Sequence, residues 1–276
     1  MWNERLNDKF QNRLIGYCQG KRVLVVGNAI SLFANEYGGL IDNFDVVVRM
    51  GKGVPFPEFK KFLGSKTDVW VGSVLRVNNF MYFQDTPFKI INITQIPLYD
   101  ANKPNVSIPK LFYSKEFQIY KDYFLIGNYD MTRSLIKKAY GHIDINNRMS
   151  QGAMVLSYFT NIIRSYKELH VIGFDFFEGR FQYKLNDQIN EVSSFHLPLP
   201  THKGKNSNPH AGLYVEENLD KTYIEKLINQ KKIVFHEMKN ISPPPENIQL
   251  IMSKYRPNAT LVTSEEVVED KNETSD

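Results

Sequence analysis

Short runs of branched apolar residues recur along the chain, and stretches with apolar residues every three or four positions lie between several of them. The continuous runs are typical of strands buried on both faces, whereas the wider spacing is typical of amphipathic helices. The predicted strands lie within residues 22–28, 43–50, 66–74, 88–96, 168–177 and 231–238. The predicted helices cover residues 1–20, 151–166 and 218–230.

This alternation of apolar strands and helices predicts an α/β fold with a doubly wound, mostly parallel sheet of the Rossmann-like type. Ligands of such sheets bind outside the carboxyl ends of the strands. The candidate residues should therefore follow the strands directly. Strand ends fall at Gly27-Asn28, at Arg49–Gly51, at Gly72-Ser73 and at Gly173–Asp175.

The domain organisation follows from where this pattern stops. We expect one domain over residues 1–240, in which the polar, Pro- and Gly-containing segment 178–209 has no clear period and forms a flexible lid. A Pro-rich stretch then leads into a short C-terminal appendage, residues 241–264. Residues 265–276 are strongly acidic and are predicted to be disordered.

The composition of the chain limits the cellular compartment and the kind of partner that we expect. The 276-residue chain has one cysteine, a polar start and no apolar run long enough to span a bilayer, so we expect a cytoplasmic protein. The last twelve residues hold six acids and one lysine, so the remaining body carries a net charge of +9 rather than +4. A basic body suggests an anionic partner, although ordinary solubility charge is an equally open interpretation.

The first strand ends in a turn suited to a ligand. A glycine at position 27 lets the backbone approach a ligand closely, and the Asn28 amide can both donate and accept hydrogen bonds. A purely structural turn is the alternative. The Gly-x-Gly-x-x-Gly pattern of dinucleotide-binding enzymes does not follow this strand, which argues against an NAD-dependent dehydrogenase.

Three longer segments, in order along the chain, resemble the sialylmotifs of the glycosyltransferase family 29 sialyltransferases. Residues 25–73 resemble the large sialylmotif, residues 150–177 the small one and residues 209–227 the very short one. The positions that match the large motif are Gly27, Asn28, Leu32, Gly38, Ile41, Asp42, Asp45, Val47, Arg49, Gly64 and Thr67. Residues 147–154 and 173–183 also resemble parts of the bacterial family 42 sialyltransferases.

The resemblance implies a transferase that moves sialic acid from CMP-sialic acid to a glycan hydroxyl, with inversion and without a metal. No further cofactor is implied. His210 would be the general base, and Tyr183 would hydrogen-bond the departing phosphate. The donor-binding residues would be Gly27, Asn28, Arg49, Arg148, Ser150, Gln151, Gly152, Gly173 and Asp175.

The resemblance also implies the kind of partner. A lipooligosaccharide or similar glycan precursor would be the acceptor, and a basic body would favour peripheral association with the inner membrane face. The missing animal-type disulfide fits a bacterial member. No nucleic-acid-binding module is recognised in the chain, and no His-x-x-x-His or Asp-x-Asp pattern predicts a metal site.

Two departures from the family pattern keep alternatives open. Gly51 stands where family 29 has an asparagine, and Phe177 stands where family 42 has a tyrosine. One alternative is the same chemistry with CMP-Kdo as the donor. The other is a catalytically inactive module that binds a nucleotide or a glycan.

Overall fold

The structure is a computed structural model that describes residues 4–73, 85–92, 124–126, 129–141, 149–176, 178–185, 188–192 and 219–262. The strands are β1 (Arg22–Val26), β2 (Val46–Met50), β3 (Val69–Ser73), β4 (Phe88–Asn92), β5 (Phe124–Ile126), β6 (Glu168–Ile172), β7 (Phe181–Leu185), β8 (Gln188–Val192), β9 (Val234–Phe235) and β10 (Thr260–Leu261). The α-helices are α1 (Glu4–Cys18), α2 (Gly38–Asp42), α3 (Lys60–Leu63), α4 (Tyr129–Tyr140), α5 (Gln151–Tyr158), α6 (Leu219–Asn229) and α7 (Pro245–Tyr255).

Within the described residues, seven parallel strands form the central sheet, in the order β5-β4-β3-β2-β1-β6-β9. The chain builds outward from β1 to β5 and then returns to the other side of β1 to add β6 and β9. The strand order therefore reverses between β1 and β6. In open α/β sheets a crevice for ligands opens at the carboxyl ends of the two strands at such a switch point.

Both faces of the sheet are covered, which confirms the doubly wound α/β prediction. Alternate residues of each strand point to opposite faces, so Val23 and Val25 pack in one core while Leu24 and Val26 pack in the other. The first core receives side chains from α1, α4, α5 and α6. The second receives side chains from a 3₁₀-helix at Ile30–Ala34, from α2 and α3, and from α7.

The first part of the segment expected to be a lid has regular structure. Strands β7 and β8 form an antiparallel hairpin, and β10 pairs with β7 on its other edge. Phe181 and Tyr183 of β7 alternate with the more exposed Gln182 and Lys184, which is the period of a half-buried strand. Residues 193–209 lie outside the described residues.

The predicted C-terminal appendage packs into the same core as the central sheet. Helix α7 begins at Pro245, within the Pro-rich stretch, because proline is well suited to the first turn of a helix. Its Ile248, Ile251 and Met252 join Leu24 of β1 in the second core. Strand β10 then adds to the hairpin.

The helices are short. Helix α1 has 15 residues, whereas a membrane span needs about 20 predominantly apolar ones. Over the ranges that the structure describes, no helix combines the length and apolar character required to cross a bilayer.

Candidate active site

The loops that follow β1 and β6 are in direct contact at the switch point. The Gly27 amide donates to the Ile172 carbonyl at 2.8 Å, and the Ala29 amide donates to the Gly173 carbonyl at 3.2 Å. A Cβ atom at Gly27 would lie 2.0 Å from the Gly173 carbonyl oxygen. The glycine at position 27 is therefore required by this close approach, and Gly173 adopts a left-handed conformation with φ 78°.

The aromatic ring of Phe174 connects these loops to helix α5. A Cβ atom would lie 2.9 Å from this ring at Gly27 and 2.4 Å from it at Gly152. Two glycines thus make room for one ring from opposite sides. As a result, three of the predicted donor-binding positions, Gly27, Gly152 and Gly173, come together at the carboxyl end of the sheet.

Asn28 spans the ends of two neighbouring strands. Its Nδ2 donates to the Met50 carbonyl, the last of β2, at 3.1 Å. Its Oδ1 faces Gly53, where a Cβ atom would lie only 2.2 Å away. The side chain is partly exposed at the sheet edge, so it is held in place while remaining accessible to a ligand.

The amino end of α5 faces the same edge. Ser150 is the N-cap residue, and its Oγ accepts from the Ala153 amide at 3.1 Å. Gln151 Nε2 donates to the Val71 carbonyl in β3 at 3.0 Å. The first turn of α5 carries no acidic residue, so the positive end of its dipole is not neutralised within the helix.

Asp220 of α6 contributes a carboxylate to this helix end, and sequence reasoning missed it. Both the hydroxyl and the backbone amide of Ser150 hydrogen-bond to Asp220, and the Tyr140 hydroxyl donates to its Oδ1. Burial nevertheless raises the pKa of Asp220 above its ordinary value, against the lowering effect of these hydrogen bonds. The only sequence signal was an acid in the first turn of a predicted helix, which is also common for ordinary capping.

Asp175 connects the β6 loop to the 3₁₀-helix that follows β1. The Ser31 Oγ donates to Asp175 Oδ2 at 2.7 Å, and both residues are buried. The Glu178 amide donates to the Asp175 carbonyl at 3.0 Å and closes a turn. These contacts give Asp175 a structural role at the site, holding its two loops together.

Arg49 lies elsewhere. Its side chain is 2% exposed, and its guanidinium donates to the Leu63 carbonyl at 2.5 Å, to the Lys66 carbonyl at 3.0 Å and to Thr67 Oγ1 at 3.0 Å. Burial lowers the pKa of Arg49 to about 10. These bonds anchor the loop before β3 and give Arg49 a structural role, and its predicted donor-binding role stays a prediction.

Of the two predicted catalytic residues, Tyr183 is among the residues that the structure describes and His210 is not. Tyr183 is 1% exposed and packs in the second core, among Leu24 and Val26. Arg148, Phe177 and His210 lie outside the described residues, so the roles assigned to Arg148 and His210 stay predictions.

Several solved structures are similar to this chain, at low identity. A mammalian sialyltransferase has a TM-score of 0.47 and 15% identity, covering 85% of this chain and 79% of its own. The sialyltransferase CST-II in complex with a trisaccharide acceptor and CMP has a TM-score of 0.45 and 20% identity, covering 88% and 92%. CstII from Campylobacter jejuni, in complex with CMP-3FNeuAc, has a TM-score of 0.44 and 18% identity, with the same coverage.

No curated protein sequence matches the chain. The profile of glycosyltransferase family 29 (sialyltransferase) matches residues 7–183. This match spans well over half of the chain, and it includes β1 to β6 of the central sheet, both loops of the switch point and helix α5. The chain therefore belongs to glycosyltransferase family 29, the sialyltransferases.

Proposed function

We propose that this glycosyltransferase moves sialic acid from CMP-sialic acid to a hydroxyl group of a glycan. The observation that carries the proposal is the convergence of Gly27, Asn28, Gly152 and Gly173 at the switch point of a chain with the family 29 profile. The missing side chains at Gly27 and Gly152 let the two loops and the Phe174 ring pack closely against α5, and this packing positions Asn28 at the edge of the sheet. The positive end of the α5 dipole, which Asp220 offsets in part, favours a negatively charged group such as the phosphate of CMP.

In the proposed reaction, His210 takes the proton of the acceptor hydroxyl as its oxygen attacks the anomeric carbon. The bond from that carbon to the phosphate oxygen breaks, and CMP leaves with the bonding electrons. A single displacement of this kind inverts the anomeric centre. An imidazole titrates close to neutral pH, which suits a general base worth about 10²–10⁴-fold in rate. The proposal needs no metal ion.

A donor screen tests the proposal. CMP-sialic acid and CMP-Kdo are supplied separately to the wild type and to His210→Ala, with CMP release and CMP binding measured in parallel. We expect CMP release from CMP-sialic acid, and a loss of about 10²–10⁴-fold in transfer by the variant at unchanged CMP affinity. Normal turnover by the variant would exclude His210 as the base.

The same screen separates the alternatives. Release of CMP only from CMP-Kdo would make the chain a Kdo transferase. Measurable CMP binding without turnover of either donor would identify an inactive binding module, which the glycine at position 51 motivates. The acceptor we propose is a lipooligosaccharide-type glycan at the cytoplasmic face of a membrane.

A further inference from the structure

A second candidate binding surface lies at the opposite end of the sheet from the switch point. A cavity of about 290 Å³ opens between the amino ends of β6 and β9, and four cations line it: Arg164, Lys167, Lys231 and Lys232. We propose that this cavity and its rim, here called the basic pocket, dock the chain on the phosphate headgroups of an anionic lipid membrane. The proposal does not depend on which sugar nucleotide the enzyme uses.

Two of the cations that line the pocket occupy left-handed backbone positions at helix ends. Arg164 ends the π-helical extension of α5, Phe159–Ile163, with φ 47°, and Lys231 follows α6 with φ 54°. Glycine and asparagine usually occupy such left-handed positions at the ends of helices. A single cation at each helix end is explained by the helix dipole. The dipole does not explain Lys167 and Lys232, which lie beyond these positions and line the same cavity.

The four positive charges of the basic pocket are only partly balanced by the residues around it. All four cations are exposed, and among the described residues none of them forms an ion pair. Among the residues that the structure describes, Glu168 is the one acid lining the cavity; its Oε2 is 3.2 Å from His170 Nε2, and it also interacts with the charge of Lys167. Four like charges around one small cavity repel each other, and bound anionic groups would relieve this repulsion.

Exposed aliphatic side chains favour a lipid surface over a free phosphate. Val234 lines the basic pocket and is 46% exposed, and Ile228 in the last turn of α6 is 36% exposed. Both are among the few large apolar side chains that the described residues expose. Cations beside exposed apolar groups are typical of surfaces that lie in the headgroup region of a bilayer.

Docking through the basic pocket would orient the candidate active site away from the bilayer. Glu168 begins β6 at the basic pocket, and Gly173 follows its last residue at the switch point. A strand of this length spans about 16 Å. The enzyme would then reach an outer sugar of a lipid-linked glycan rather than the sugar next to the lipid.

Vesicle binding by the full chain tests the proposal. We would measure cosedimentation with phosphatidylcholine vesicles and with vesicles that also contain phosphatidylglycerol, for the wild type, for Lys167→Gln/Lys232→Gln and for Lys137→Gln/Lys138→Gln. The last pair, exposed in the last turn of α4, is the matched control for charge. Each cation near an anionic membrane surface strengthens the partitioning of a protein onto the membrane about fivefold. Because the pocket variant lacks two cations, it should bind the phosphatidylglycerol vesicles about 30-fold more weakly than the wild type.

The possible outcomes decide the proposal one way or the other. Binding that requires phosphatidylglycerol, is weakened in the pocket variant and is kept in the control variant would support it. Equal losses in the two variants, or no binding of the wild type, would overturn it. Displacement by inorganic phosphate, but not by sodium chloride of the same ionic strength, would identify a free phosphate site and would also overturn it. Thermal unfolding midpoints equal to that of the wild type confirm that both variants are folded, whether or not the chain turns over a CMP donor.

Discussion

Asp220 hydrogen-bonds both the hydroxyl and the backbone amide of Ser150, the residue that caps α5. The amino ends of α5 and α6 are therefore tied together by one carboxylate, which also accepts from Tyr140. An anion at the amino end of a helix is favourable, yet burial of this one disfavours its charged form. The charge of Asp220 therefore has a cost for folding, and this cost depends on pH.

The first prediction concerns Asp220→Asn. Because burial raises the pKa of Asp220 in the folded state above its ordinary value of 3.8, the folded protein holds this proton more tightly than the unfolded chain does. The stabilising contribution of this proton is fully present at pH values below the pKa of the unfolded chain. It is lost as the pH rises through the higher pKa of Asp220 in the folded protein. The free energy of unfolding of the wild type, relative to the variant, should therefore fall with rising pH across that window.

Urea unfolding of both proteins between about pH 3 and pH 7 measures this difference. Glu225→Gln, an exposed position of the same helix, is the control for removing one charge from α6. If the difference in unfolding free energy between the wild type and Asp220→Asn stayed constant, or if it rose with pH in favour of the wild type, the pKa of Asp220 would not be raised in the folded state.

The second prediction concerns the contact between the two loops of the switch point. Gly27→Ala would place a Cβ atom 2.0 Å from the Gly173 carbonyl oxygen, so the backbone of one loop must shift. We expect a loss of about 1–3 kcal/mol in the free energy of unfolding. Gly16→Ala in α1 is the matched control: its Cβ atom would meet nothing within 4 Å, and helix propensity should stabilise it by up to about 1 kcal/mol. The free energies of unfolding are measured by thermal or urea unfolding. A change of the same sign in both variants would argue against the close approach of the two loops.

The third prediction separates a structural role of Arg49 from donor binding. In Arg49→Met the carbonyls of Leu63 and Lys66 lose their donor, and we expect a loss of about 2–4 kcal/mol in unfolding free energy. CMP affinity should stay unchanged under conditions where the variant is folded. Arg13→Met, at an exposed position of α1, controls for loss of an arginine. Full stability combined with weakened CMP binding would restore the donor-binding role predicted from the sequence.

Continuous apolar runs were sufficient to predict β1, β2, β3, β4, β6 and β9. Most of these strands are buried on both faces of the parallel sheet, whereas β9 was predicted although its Val234 is 46% exposed. The ends of these strands also indicated where Gly27, Asn28 and Gly173 would meet. In contrast, the antiparallel hairpin of β7 and β8 was missed. Its polar residues on one face made the segment look like a loop, although Phe181, Tyr183 and Leu185 alternate as in a half-buried strand.

The positions of side chains were less predictable than the strands, because they depend on contacts between distant parts of the chain. Arg49 directly precedes a strand end in the sequence, but its side chain points into the second face of the sheet, where residues 63–67 bind it. Asp220 lies 70 positions from Ser150 in sequence numbering, and no local pattern connects them. The alternation of residues along a strand predicts the face of the sheet on which a side chain lies, but it does not predict which residue that side chain contacts.

The last prediction places the phosphate of the donor next to Asn28. Asn28→Asp keeps the size of the side chain but replaces the Nδ2 donor, 3.1 Å from the Met50 carbonyl, by an oxygen that carries negative charge. If the phosphate of CMP binds beside it, the variant should bind CMP at least about tenfold more weakly, which is about 1.4 kcal/mol, while its affinity for uncharged cytidine should change much less. Calorimetric titration of both ligands measures the two affinities, and Asn43→Asp, at an exposed position after α2, controls for an added charge. An Asn28→Asp variant that is as stable as the wild type and binds CMP and cytidine equally weakly would place the phosphate away from Asn28, because repulsion between charges acts only on the ligand that carries one.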